Sequence, residues 1–228
     1  MNTAIQTFLL VLASTLPVVN PPGSALVFLG LTIGATPGVR GTLARRIAIN
    51  SFMILVCSFL LGALVLKFYG ISIPILRVAG GFIVAVAGWR LLNEGSQKDR
   101  EIPADDVSRT SPLLDQSFYP LTLPLTTGPG SIAVVISIAL SRAAFATPRD
   151  ELLFVLASIT AIAVIAVTIW LCFAYADRLQ KVLGKGGTNI AVRLSAFILF
   201  CIGLQILWSG ITELLRSVLY PGSIPSLP

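Results

Sequence analysis

Two short stretches bring together residue types that interrupt apolar runs and can hold a ligand: PVVNPPGS at 17–24 and PLTTGPGS at 124–131. Proline lacks the backbone N–H that would continue a helix and its ring clashes with the preceding turn, while glycine weakens a helix further. Each stretch should therefore break a helix that runs into it. Past the break, the first N–H groups of the restarted helix have no intrahelical partner and carry the positive end of its dipole, which suits a carboxylate. These would be the N–H groups of Gly23, Ser24 and Ala25 in one copy and of Gly130, Ser131 and Ile132 in the other. Asn20, Ser24, Thr126, Thr127 and Ser131 add side-chain donors and acceptors. Gly23, Gly128 and Gly130 leave room for a small ligand beside the backbone, and Pro22 and Pro129 enforce the breaks. The bland alternative is a pair of ordinary kinks, each restarted helix capped by its serine.

Two copies in register favour a site. Pro17, Pro22, Gly23 and Ser24 face Pro124, Pro129, Gly130 and Ser131, with Asn20 opposite Thr127. Similarity resumes later in each half, Arg77 and GWRLL at 88–92 against Arg193 and GLQIL at 203–207.

Other chemistries find little support. The chain has no histidine, and Cys57, Cys172 and Cys201 lie in apolar stretches at unrelated spacings, so neither a metal site nor a redox pair is expected. GKGGT at 184–188 lacks the spacing of a phosphate loop and follows no strand. No catalytic residues and no cofactor are expected.

The elements that must position the breaks are membrane helices. Of the 228 residues 55% are hydrophobic and only 11% charged, where a soluble domain carries about 25% charged. Charge is absent before Arg40 and from 50–66, 116–141 and 152–176, each long enough to cross a hydrocarbon core of about 30 Å. The first run is read as a retained span, since no basic residue precedes it. Helices are expected at 3–34, 47–68, 72–92, 118–140, 152–175 and 190–219.

The expected fold is all-α: a polytopic membrane protein of about six transmembrane helices, arranged as two inverted three-helix repeats with broken first helices. The repeats would be 1–92 and 117–228, joined by a hydrophilic cytoplasmic linker at 93–116. Three spans per repeat is an odd number, so the second copy must enter from the opposite face, as in many secondary transporters. With the N-terminus outside, eleven Lys and Arg fall in the cytoplasm and five outside, which places both termini in the periplasm. The net charge of +6 then reflects orientation and not nucleic-acid binding. Arg77, Arg193 and Gln205 are candidates for gating or for contacts that support the site. No carboxylate lies plainly at mid-membrane.

The chain resembles the MarC family of inner-membrane proteins, also described as neutral amino acid transporter-like. The resemblance rests on NPPGSALVFLGLT at 20–32, YGISIPILRVAGGFIVAVAGWRLL at 69–92, PLTLPLTTGPGSIAVVIS at 120–137 and LGKGGTNIAVRL at 183–194. It implies a multi-pass protein of the bacterial cytoplasmic membrane that exports small neutral amino acids such as alanine or glycine, with motif positions at Asn20, Pro22, Gly23, Gly128, Pro129 and Gly130. The partners expected are the small-molecule substrate, the lipid bilayer, a coupling proton or sodium ion, and further copies of the chain in a homo-oligomer. Rival readings are a transporter of another small solute or drug, and a regulatory or scaffold membrane protein that transports nothing.

Overall fold

In lipid every backbone polar group must be satisfied internally, so apolar runs of this length fold as helices. The computed structural model describes residues 3–32, 35–93, 117–118, 122, 126–140 and 147–219. Its helices are α1 (Thr3–Val19), α2 (Pro21–Leu31), α3 (Pro37–Tyr69), α4 (Ile73–Asn93), α5 (Pro129–Leu140), α6 (Pro148–Ala174) and α7 (Ala176–Leu219). The expected linker lies outside the described residues except for Asn93, which closes α4.

Several boundaries differ from the sequence expectation for local reasons. α3 starts at Pro37 and not near residue 47, because Thr36 accepts a hydrogen bond from the Val39 N–H and Pro37 fits the first helical turn. α6 repeats this device with Thr147 and Pro148. Arg40, Arg45 and Arg46 are therefore helical, on a stretch that extends past the apolar part. α7 is two helical pieces that meet inside GKGGT, where Gly184 has a non-helical backbone (φ 67°, ψ 175°); its membrane-spanning part, Gly186–Leu219, starts close to the expected 190, and a short helix from Ala176 precedes it. The fourth predicted helix is shorter among the described residues: α5 begins only at Pro129, after the break.

Among the described residues five stretches are long and apolar enough to cross a membrane, with α1 and α2 forming one of them, and α5 is a shorter apolar helix. Large apolar side chains face outward on several helices, among them Leu64 of α3, Phe82 and Trp89 of α4, Val167 of α6 and Trp208 of α7. Such a surface would aggregate in water and is at home in lipid.

Packing partners fix the directions. Phe59 of α3 lies 5.9 Å from Phe154 of α6, ring centre to ring centre, and Phe28 of α2 lies 4.8 Å from Phe173. Val11 shares an apolar cluster with Phe154 and Ile162, while Val19 and Phe28 share the next with Ile165 and Phe173. The first span thus advances alongside α6 through its break. It is a kinked crossing and does not turn back.

α4 and α7 run antiparallel at close range. A Cβ on Gly81 would fall 2.8 Å from the Gly203 carbonyl oxygen, and one on Gly88 would fall 2.9 Å from that of Ala196. These small residues let the backbones approach, the usual basis of close packing between membrane helices. If the two halves are exchanged, Gly81 against Gly203 becomes Ala196 against Gly88, so each contact has its counterpart. The other pairings follow suit: α5 packs on α3 and α4 as α2 packs on α6 and α7.

Candidate functional site

Both breaks fall where the sequence places them, and α1, α2, α4, α5 and α7 line a cavity of about 570 Å³ beside them. Asn20, Gly23 and Ser24 line it from the first break, and Thr126, Gly128, Pro129, Gly130 and Ser131 from the second. Pro22 and Thr127 do not line it. Pro22 is exposed, whereas Thr127 is fully buried with no hydrogen-bond partner for its hydroxyl. Apolar residues of α4 and α7, among them Val84, Ala87, Val192 and Leu199, form much of the remaining wall.

The breaks are alike in sequence but differ in hydrogen bonding. Asn20 adopts a left-handed conformation, φ 47°, and its Oδ1 accepts from the Gly23 N–H at 3.3 Å. Its carbonyl accepts from the Ser24 N–H at 3.0 Å. Pro21 and Pro22 have no N–H to offer. The first turn of α2 is therefore consumed by its own cap, and the expectation that Gly23 and Ser24 present free N–H groups is corrected. At α5 the Ile132 N–H is likewise used, donating to the Gly128 carbonyl at 3.2 Å. Only the N–H groups of Gly130 and Ser131 are left without a hydrogen bond among the described residues. Anion-binding backbone is found on one side, not two.

The serines serve the breaks. Ser24 Oγ donates to the Val19 carbonyl at 3.2 Å, and Ser131 Oγ donates to the Gly128 carbonyl at 2.8 Å. The glycines are also more than open space. A Cβ on Gly23 would lie 2.9 Å from that of Ser195 and 3.0 Å from Asn20 Cγ, and one on Gly130 would press into Val84. They permit α2 to lie on α7 and α5 on α4, a reason for glycine other than access for a ligand.

Of the three supporting candidates, none lines the cavity. Arg77 forms an ion pair with Glu213 at 2.6 Å and reaches Ser137 Oγ at 3.4 Å, tying the N-terminal end of α4 to the far ends of α7 and α5. Arg193 and Gln205 are exposed on α7. At the opposite end of the bundle Arg40 pairs with Asp177 at 2.6 Å and donates to the Thr32 carbonyl at 2.8 Å. The Arg77 pair lies outside the cavity, whose lining on α4 runs from Phe82 to Leu91, toward the C-terminal end of that helix.

Sequence reading missed Arg90. It is exposed and is the single charged residue among the described residues that line the cavity. The signal was available, because GWRLL aligned with GLQIL sets Arg90 opposite Gln205, an unlike pair in otherwise similar segments.

A helical, multi-pass membrane protein with a cavity between two broken helices is the class that fold and site define. The sequence profile of the MarC family of integral membrane proteins matches residues 5–215. The chain is 35% identical over 207 residues to the inner membrane protein MarC of Salmonella typhimurium, covering 89% of this chain and 92% of that protein. It is 34% identical, with the same coverage, to the protein of that name in Escherichia coli UTI89. No solved structure gives a significant match. The chain belongs to the MarC family.

Proposed function

We propose that the protein is a secondary transporter of the bacterial inner membrane and not an enzyme. It moves small neutral amino acids such as alanine or glycine outward by alternating access between two inverted repeats, residues 1–92 and 117–228. The observation that carries this reading is the cavity itself, set between the breaks of the two halves and approached from one end of the bundle. Irregular backbone at membrane depth is tolerated where it lines a cavity, and inverted halves give a second state by exchanging their roles. In that second state the end where Arg77 pairs with Glu213 is the one that opens. The positive-inside count puts the present opening on the cytoplasmic side and both termini in the periplasm.

The carboxylate of the amino acid is held near the free N–H groups of Gly130 and Ser131, and Thr126 and Asn20 bound the same space. Counterflow in proteoliposomes tests the function. Liposomes preloaded with unlabelled alanine or glycine should accumulate the labelled amino acid transiently, and protein-free liposomes should not. Equal traces with and without protein, across all small neutral amino acids, would refute the assignment.

A further inference from the structure

Charge in the cavity is one-sided. Among the described residues Arg90 lines it and no Asp or Glu does, and the two free N–H groups of α5 add partial positive charge. Two cations near the bundle ends have acidic partners, Arg40 with Asp177 and Arg77 with Glu213, and Arg178 lies over the Tyr175 ring. Arg90 has neither an ion-pair nor a hydrogen-bond partner among the described residues. The rest of the wall is mainly aliphatic, and the cavity volume of about 570 Å³ lies in the range of roughly 300–1,000 Å³ that accommodates ligands larger than alanine.

We propose that Arg90 is the capture residue for an organic monoanion: its guanidinium holds a carboxylate at the cavity mouth while the aliphatic walls of α4 and α7 take the solute's apolar body. A guanidinium presents a planar fork of donors that matches a carboxylate in two parallel hydrogen bonds. Organic cations are disfavoured by the same charge, because none of the described residues in the cavity wall is acidic. The solute class this defines is a carboxylate with an apolar body, to which the small amino acids of the transport reading belong, captured at Arg90 before the carboxylate reaches the N–H groups of Gly130 and Ser131. The proposal deepens the transport reading and rests on it only for the cavity as the solute site.

Arginine-specific modification tests it without requiring transport. The full chain in phosphatidylcholine nanodiscs is treated with phenylglyoxal, and modification at Arg90 and at Arg216 is followed by peptide mass spectrometry. Competitors at matched ionic strength are acetate, butyrate, phenylacetate, butyramide, butylamine and chloride. Arg90 should be protected in the order phenylacetate, butyrate, acetate, and left unprotected by the other three, while Arg216 reacts alike throughout. Thermal unfolding supplies a second readout. Phenylacetate should stabilise the wild type, and Arg90→Gln should bind it about tenfold or more weakly, as expected for losing a charge-assisted hydrogen bond of about 1.5 kcal/mol or more. Arg90→Lys should recover part of the effect. Failure of Arg90 to react, protection by butyramide or chloride equal to that by butyrate, or undiminished phenylacetate binding in Arg90→Gln would overturn the proposal. Flat counterflow with Arg90 protected would instead remove the transport reading and leave the anion site standing. Active counterflow with Arg90 unprotected would do the reverse.

Discussion

At the scale of single residues, the first break is held by Asn20. It supplies a left-handed backbone, which asparagine tolerates better than most residues, and the side-chain oxygen that caps Gly23. Asn20→Gly keeps the conformation and loses the side-chain acceptor, so it should cost only a few tenths of a kcal/mol. Asn20→Ala loses the cap and strains the backbone, which sums to about 2 kcal/mol. Thermal unfolding in detergent should therefore rank wild type, Asn20→Gly, Asn20→Ala, and equal melting of the two variants would contradict the role given to the backbone. Ser24→Ala and Ser131→Ala each remove one hydroxyl that serves a local carbonyl, at about 0.5–1.5 kcal/mol. Their effect on transport should be mild beside that of valine at Gly23 or Gly130.

At the scale of elements, the glycines decide how near the helices come. Gly130 lies against Val84, so Gly130→Ala should separate α5 from α4. Adding Val84→Ala makes room for the new methyl, and the double variant should be more stable than the sum of the single effects predicts. Simple additivity in a double-mutant cycle would show that the two side chains do not meet.

Much of this level was legible in the sequence. The two breaks, the span order and the antiparallel pairing of halves follow from Pro and Gly in register and from an odd number of spans. The start of α3 did not, because Arg40, Arg45 and Arg46 look like loop residues when hydropathy alone is read, whereas a helix can run beyond the hydrocarbon once it is capped. The free N–H groups were overcounted for a related reason. Pattern shows where a helix restarts, but the rotamer of Asn20 decides whether its first turn is already satisfied. Arg90 was overlooked because it had been counted only toward orientation.

At the scale of the whole molecule, two ion pairs mark opposite ends of the bundle, Arg40 with Asp177 and Arg77 with Glu213. Glu213→Gln removes the charge that holds the far end of α7 to α4, and it should shift the protein toward the state open on that side. Raised reactivity of an introduced Ser137→Cys toward an impermeant maleimide, compared with the same cysteine beside intact Glu213, is the expected sign. Unchanged reactivity would remove the pair from the gating scheme. Orientation is tested with Tyr69→Cys and Thr36→Cys in a cysteine-free background. The first should label in intact cells and the second only after permeabilisation, and the reverse pattern would invert the topology.

The central claim is that the solute passes through the cavity between the two breaks. Ala87 lines that cavity on α4 and Phe68 lies exposed at the end of α3, away from it. Single cysteines, Ala87→Cys and Phe68→Cys, are placed in protein lacking Cys57, Cys172 and Cys201, reacted to completion with a bulky maleimide, and reconstituted for alanine counterflow. Blocked counterflow for the modified Ala87→Cys protein, with the modified Phe68→Cys protein as active as its unreacted form, is the predicted result. Full counterflow after complete modification at Ala87→Cys would contradict the account.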